Sequence, residues 1–214
     1  HYTGCNPRGL LLAGDKALSK KIMGYHRIRA PRFREYRMGR TVQRDPQKLE
    51  YPLIVKSQSE HASTGISQAS IVRDLQSLTE RVEFIHRNVG TGAIAEEFIE
   101  GRELTIGVLG NRRLTTMPVW EMTFGNLPAG APTIATSRVK WDLEYQKQIQ
   151  LKTHAAHGEV HASLARRQPH RRWRTVGVVI LHPPADRSCV CTTSHPGRDR
   201  PRRSLFAGRL QEAR

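Results

Sequence analysis

Lys56 closes a short apolar run, Leu53-Ile54-Val55, that follows Pro52. A run of this length, bounded by proline and polar residues, predicts a buried strand. A lysine at the end of such a strand is held rigidly, with its ammonium aimed at one spot. Behind it come Ser57-Gln58-Ser59-Glu60-His61-Ala62-Ser63-Thr64-Gly65. These small and polar residues predict a loop whose backbone N–H groups can approach oxyanions closely. A fixed cation followed by an adaptable loop suits a polyphosphate. The same pattern also describes an ordinary strand-end lysine beside a surface loop.

A second constellation is Ile94-Ala95-Glu96-Glu97-Phe98-Ile99-Glu100-Gly101-Arg102-Glu103-Leu104. A strand that ends in a turn places the backbone groups of Phe98 and Ile99 at an edge. A purine base could pair there, with Glu96 accepting from its amino group and Glu103 accepting from ribose hydroxyls. The alternative is a charged edge strand that resists aggregation.

The elements that must position these residues follow from periodicity and breakers. Thr3 to Gly9 carries Gly4, Pro7 and Gly9 and predicts a loop. Asp15 is placed to cap a helix with Leu18, Ile22 and Tyr25 at helical spacing. That helix must end before Ala30–Pro31, because a residue preceding proline avoids the α region. Phe33 to Tyr36 predicts a short strand, and Ile66 to Ala69 another. From Asp74 to His86, Leu75, Leu78, Val82 and Ile85 fall on one helical face, and Asn88-Val89-Gly90 ends that helix. Ala93 to Ile99 and Leu104 to Leu109 predict strands. Gly110–Asn111 makes a tight turn, and Leu114 to Trp120 returns as a hairpin partner. Asp142 to Leu151 predicts a helix. The order is that of an α+β protein.

Taken together, in this order and spacing, Asp15-Lys16 with Lys20, Tyr51-Pro-Leu-Ile-Val-Lys56, the Glu60-to-Gly65 loop and Glu96-to-Gly110 resemble the nucleotide-binding half of the ATP-grasp superfamily. They are most similar to D-alanine–D-alanine ligase and its relatives, over roughly residues 3 to 152. The resemblance implies an incomplete ATP-grasp fold: the nucleotide-binding subdomain and part of the second. By position it implies that Lys16 and Lys56 contact ATP phosphates and that Glu60, Ser63 and Gly65 lie on a mobile loop over them. Glu96, Phe98 and Ile99 hold adenine, Glu103 the ribose, and Lys140 approaches the γ-phosphate. Such ligases use ATP and Mg²⁺ to activate a carboxylate as an acylphosphate, which an amine then attacks. The implied partners are small amino-acid or peptide substrates. The family's metal-ligand pattern, Asp-Phe-x followed by Glu-x-Asn-x-x-Pro, has no match after Lys152. No metal ligands are therefore assigned, and a truncated, inactive copy is expected.

Composition separates two regions. The chain of 214 residues carries a formal charge of +16 and a pI near 10.7. All eight lysines lie at or before Lys152, whereas Thr153 to Arg214 holds twelve arginines, four acids and no lysine, tyrosine or asparagine. The expected organisation is an edge or loop over 1–14, a partial ATP-grasp domain over 15–152, and an arginine-rich tail of low order over 153–214. His1 in place of Met reads as a fragment edge, with the family's first domain lying before it. Out-of-frame reading of a GC-rich gene explains the tail's composition economically. The competing reading is a basic arm that binds nucleic acid or another polyanion. Only Trp173 and Phe206 offer aromatic stacking there, so nucleic acid is not the expected partner. Cys189 and Cys191, with His182 and His195 nearby, lack zinc-finger spacing, and Cys5 leaves an odd count that argues against a disulfide framework. No apolar run reaches membrane-spanning length, no signal peptide is visible, and a reducing, cytoplasmic setting is expected.

Overall fold

Asp15 shows how the sequence sets the first element of the site. Its Oδ1 accepts from the backbone N–H groups of Ala17 and Leu18 at 2.9 and 3.0 Å, capping donors that a helix start leaves unpaired. The helix that follows, α2, runs Lys16–Tyr25. The computed structural model describes residues 7–40, 42, 49–110, 114–156, 177–181 and 189–193. Ahead of α2 lies α1, Pro7–Gly14. The expected loop over Thr3–Gly9 is thus helical from Pro7 onward. Proline is tolerated at a first helical position, where its missing N–H has no partner to lose, and Gly9 is buried within that helix.

Two antiparallel sheets follow. The first contains β1 (Phe33–Tyr36), β2 (Leu53–Ser57), β3 (Ile71–Val72) and β4 (Ala93–Glu97), in the order β1-β4-β2-β3. Expected strand Ile66–Ala69 gives way to a 3₁₀ turn at Gln68–Ser70 and the two residues of β3. Helix α3, Leu75–Phe84, is capped by Asp74 and continues as one π turn through Val89, which Gly90 ends at φ 74°. Register decides which side chains meet. Leu53, Val55, Ala93, Ala95 and Tyr36 share one sheet face and pack with Leu78, Val82 and Ile85 of α3 into a buried core. Leu75, expected on that stripe, is exposed at the first turn of the helix. The opposite sheet face presents Phe33, Ile54, Lys56, Ile94 and Glu96.

The second sheet contains β5 (Arg102–Gly110), β6 (Leu114–Phe124), β7 (Leu151–Ala155), β8 (Gly177–Leu181) and β9 (Cys189–Thr193), in the order β7-β6-β5-β8-β9. The expected turn at Gly110–Asn111 reaches beyond the described residues, and β5 and β6 pair across it as predicted. Two short helices, α4 (Ser137–Trp141) and α5 (Leu143–Gln148), precede β7. The predicted helix Asp142–Leu151 is α5 alone, because Asp142 is its cap and Leu151 already belongs to a strand. Met122, Val139 and Ile149 form the core between this sheet and these helices.

β7 pairs Thr123 with Lys152 and Met122 with Thr153. The compositional break therefore falls inside a strand rather than between elements. Further on, β8 pairs with β5 and β9 with β8, both within residues 153–214. Among the described residues, no helix is long and apolar enough to cross a membrane.

Candidate nucleotide-binding site

The site is built on the first sheet's open face. Lys56 sits opposite Ile94 in the β2–β4 ladder, two residues from Glu96 on the same face. Its Nζ donates to Glu96 Oε2 at 3.1 Å. Lys20 reaches the same oxygen from α2 at 3.4 Å. Glu96 is 1 % exposed, Lys20 2 % and Lys56 11 %. Burial alone pushes the Glu96 carboxyl upward, but the charges of Lys56 and Lys20 outweigh it and hold the group below its usual range. The other carboxylate oxygen, Oε1, is buried and has no hydrogen-bond partner among the described residues.

Lys16 stands at the first position of α2. Its backbone N–H donates to the Gln58 carbonyl at 3.1 Å, and the Gln58 side chain donates to both Asp15 carboxylate oxygens. This ties the start of α2 to the end of β2, which brings Lys16 beside Lys56. Lys16 Nζ donates to the Glu60 carbonyl. Burial, then the neighbouring Lys56 charge, lower its pKa to about 8.

The loop after Lys56 is held at several points. Glu60 N–H donates to Ser57 Oγ at 2.9 Å. Ser63 Oγ donates to the Ala135 carbonyl at 2.6 Å, and Trp141 Nε1 to the Ala62 carbonyl at 3.2 Å. Ala62, Ser63 and Gly65 have φ of 55°, 63° and 71°, a left-handed turn that only Gly65 adopts without steric cost. A Cβ on Gly65 lies 2.9 Å from Val89 Cγ2.

Glu103 and Lys140 complete the cluster from the second sheet and α4. Burial raises the Glu103 carboxyl, opposed first by Lys140, then by the Ala135 N–H and Lys56. Burial lowers Lys140, against the pull of Glu103 and with the push of Lys56. Phe98 N–H is spent on the Pro52 carbonyl at 2.9 Å, whereas Ile99 has no backbone hydrogen bond among the described residues. Lys20 also lines an open cleft of about 430 Å³ with Arg27, Arg29, Arg32 and Phe33. Arg32 there is already paired with Glu50 and Glu97.

The structure thus gathers Lys16, Lys56, Glu96, Glu103 and Lys140 into one charged cluster, with Glu60, Ser63 and Gly65 on the adjoining loop and Phe98 and Ile99 at the end of β4. Sequence reasoning gave Lys20 no role, although it lies one helical turn from Lys16 on the same face. It also passed over Arg81, a charge at i+3 from Leu78 within the apolar stripe of α3, and Trp141. Cys189 and Cys191 fall in β9, while His182 and His195 lie outside the described residues. Among the described residues no group of three or more His, Cys, Asp or Glu is placed to hold a metal ion.

Comparison with known proteins places the chain in a family. The family model described as D-ala D-ala ligase C-terminus matches residues 21–163. The match begins just after Lys20 and continues eleven residues past the compositional break, further than the resemblance read from the sequence. A D-alanine–D-alanine ligase of Bordetella avium is 31% identical over 122 residues, covering 56% of this chain and 37% of that protein. The uncharacterized protein y4sG of Sinorhizobium fredii is 30% identical over 149 residues, covering 70% of this chain and 40% of that protein. The crystal structure of a D-alanine–D-alanine ligase from Bacillus anthracis superposes with a TM-score of 0.68 at 20% identity, over 99% of this chain and 65% of that one. The chain spans about two-fifths of the length of the curated relatives it matches. With ATP-grasp architecture and a family match over well more than half its length, the chain belongs to the D-alanine–D-alanine ligase C-terminal family.

Proposed function

We propose that this chain is the ATP-binding portion of a carboxylate–amine ligase of the D-alanine–D-alanine ligase type. The observation that carries the reading is Glu96. Its Oε2 is neutralised by two lysines while its Oε1 is buried and without a hydrogen-bond partner among the described residues. A buried acceptor without a donor is costly, and the exocyclic amino group of adenine is a donor of the right kind. The open backbone of Ile99 supplies the neighbouring edge. Lys16, Lys56 and Lys140 then face the polyphosphate, and Glu103, its carboxyl pushed upward by burial, faces the ribose. Glu60, Ser63 and Gly65 form the loop above the phosphates. ATP, when bound, supplies the phosphoryl group that activates a carboxylate; the lysines orient it and neutralise its charge.

Mg²⁺ is the expected companion of ATP. The described residues supply no ligand cluster for it, so no step is assigned to a protein-held metal. For this chain by itself, ATP binding without ligase turnover is the proposed state, in a cytoplasmic setting with small-molecule substrates. Calorimetric titration tests the reading. ATP is expected to bind at least tenfold more tightly than inosine triphosphate, which lacks the amino group facing Glu96. Equal affinities overturn the adenine assignment. Phosphate release on adding D-alanine, abolished in Lys56→Ala, overturns the proposed inactivity.

A further inference from the structure

Arg81 is a buried cation in the core-facing stripe of α3, 8 % exposed. Its Nη2 donates to the Gly65 carbonyl and, at 2.9 Å, to Ser70 Oγ. Its guanidinium lies 4.3 Å over the Phe84 ring. Nε is buried with no hydrogen-bond partner among the described residues. A guanidinium is a planar fork of donors, and a buried one is retained where several acceptors must be held in fixed relation. The two acceptors here are the last residue of the phosphate-facing loop and the hydroxyl that closes the 3₁₀ turn after it. Gly65 is the point where the chain, in a left-handed conformation against Val89, leaves the loop for the 3₁₀ turn and β3. The loop's entrance is pinned separately, by Ser57 Oγ to Thr91 Oγ1 at 2.8 Å and to Glu60 N–H.

We infer that Arg81 is a positioning residue for the phosphate-facing loop: the two bonds from its Nη2 to Gly65 and Ser70 set the height of residues 60–65 over Lys56. It does not touch the nucleotide. The inference rests on the nucleotide reading above. It predicts a loss confined to the phosphate end of the ligand, because the hydrogen bonds of Arg81 go to Gly65 and Ser70, whereas the residues assigned to adenine and ribose lie at β4 and β5.

The test compares ATP with adenosine on the intact chain. Arg81→Met is expected to weaken ATP binding by tenfold or more and to leave adenosine binding within twofold. Arg81→Lys keeps the charge and apolar stem but ends one bond short of the Nη2 position that meets both acceptors, and is expected to lose ATP affinity in the same selective way while folding normally. Equal losses for ATP and adenosine, or none in either variant, overturn the inference. Hydrogen exchange without nucleotide supplies an independent reading: amides 60–66 are expected to exchange faster in Arg81→Lys, with β2 and β4 unchanged. Unchanged exchange at 60–66 overturns the inference even where ATP binds. A wild-type chain that binds neither ATP nor adenosine overturns the nucleotide reading itself, and the role in nucleotide binding with it.

Discussion

Glu96 remains an anion at 1 % exposure because two ammonium groups meet the same oxygen. Breaking such a buried pair from one side typically costs about 3–5 kcal/mol, so the arrangement is rigid before any ligand arrives. Lys16 is different. It lies at the cluster's edge, bonded to a carbonyl rather than a carboxylate, and its pKa falls to about 8 through burial and the push of Lys56. Below that pH it is charged and attracts a polyphosphate; above it the attraction fades. ATP affinity measured by calorimetry is therefore expected to fall several-fold between pH 7 and pH 9.5, and a Lys16→Met chain to lose most of that dependence. Stability moves the opposite way. The unfolded lysine holds its proton up to the ordinary value of 10.5 while the folded one releases it near 8. Between those values the unfolded state binds more protons, so rising pH favours the folded chain.

At the scale of elements, the loop from Ser57 to Gly65 is held more firmly than its composition suggests. Its exit depends on Gly65, where φ is 71° and a Cβ meets Val89. Gly65→Ala is expected to cost about 1–2 kcal/mol from the left-handed conformation alone, with more from the clash, read as a lowered urea midpoint at unchanged slope. What sequence made legible here was local. Asp15 as a cap, Leu53–Val55 as a strand and Leu78, Val82 and Ile85 as a core stripe all depend on neighbours within one or two turns. The pairing of Lys56 with Glu96 spans 40 residues, and that of Arg81 with Gly65 spans 16; both depend on how elements pack. Proline and glycine at positions 7 and 9 pointed to a loop because their breaking tendency is averaged over contexts, and a helix's first turn is the context that tolerates proline. Family resemblance, rather than periodicity, assigned roles to Lys16 and Lys140.

At the scale of the molecule, the first sheet is closed off by α3 on one face and carries the site on the other, while the second sheet extends into the arginine-rich region. β8 covers the edge of β5 from Arg102 to Ile106. Ending the chain after Ala156 strips that cover and leaves an unpaired edge, a template for association. Light scattering is expected to show more aggregation of the shortened chain, with ATP affinity of its soluble fraction unchanged, because the site residues all precede Ala156. The strand that crosses Lys152–Thr153 carries a broader consequence. Its ladder with β6 is made of main-chain groups, and main-chain groups are nearly the same whatever the side chains. An open sheet edge therefore acts as an indifferent recruiter. It enlists whatever extended segment follows, so a stretch of different composition still serves as scaffolding for the residues that form the candidate site.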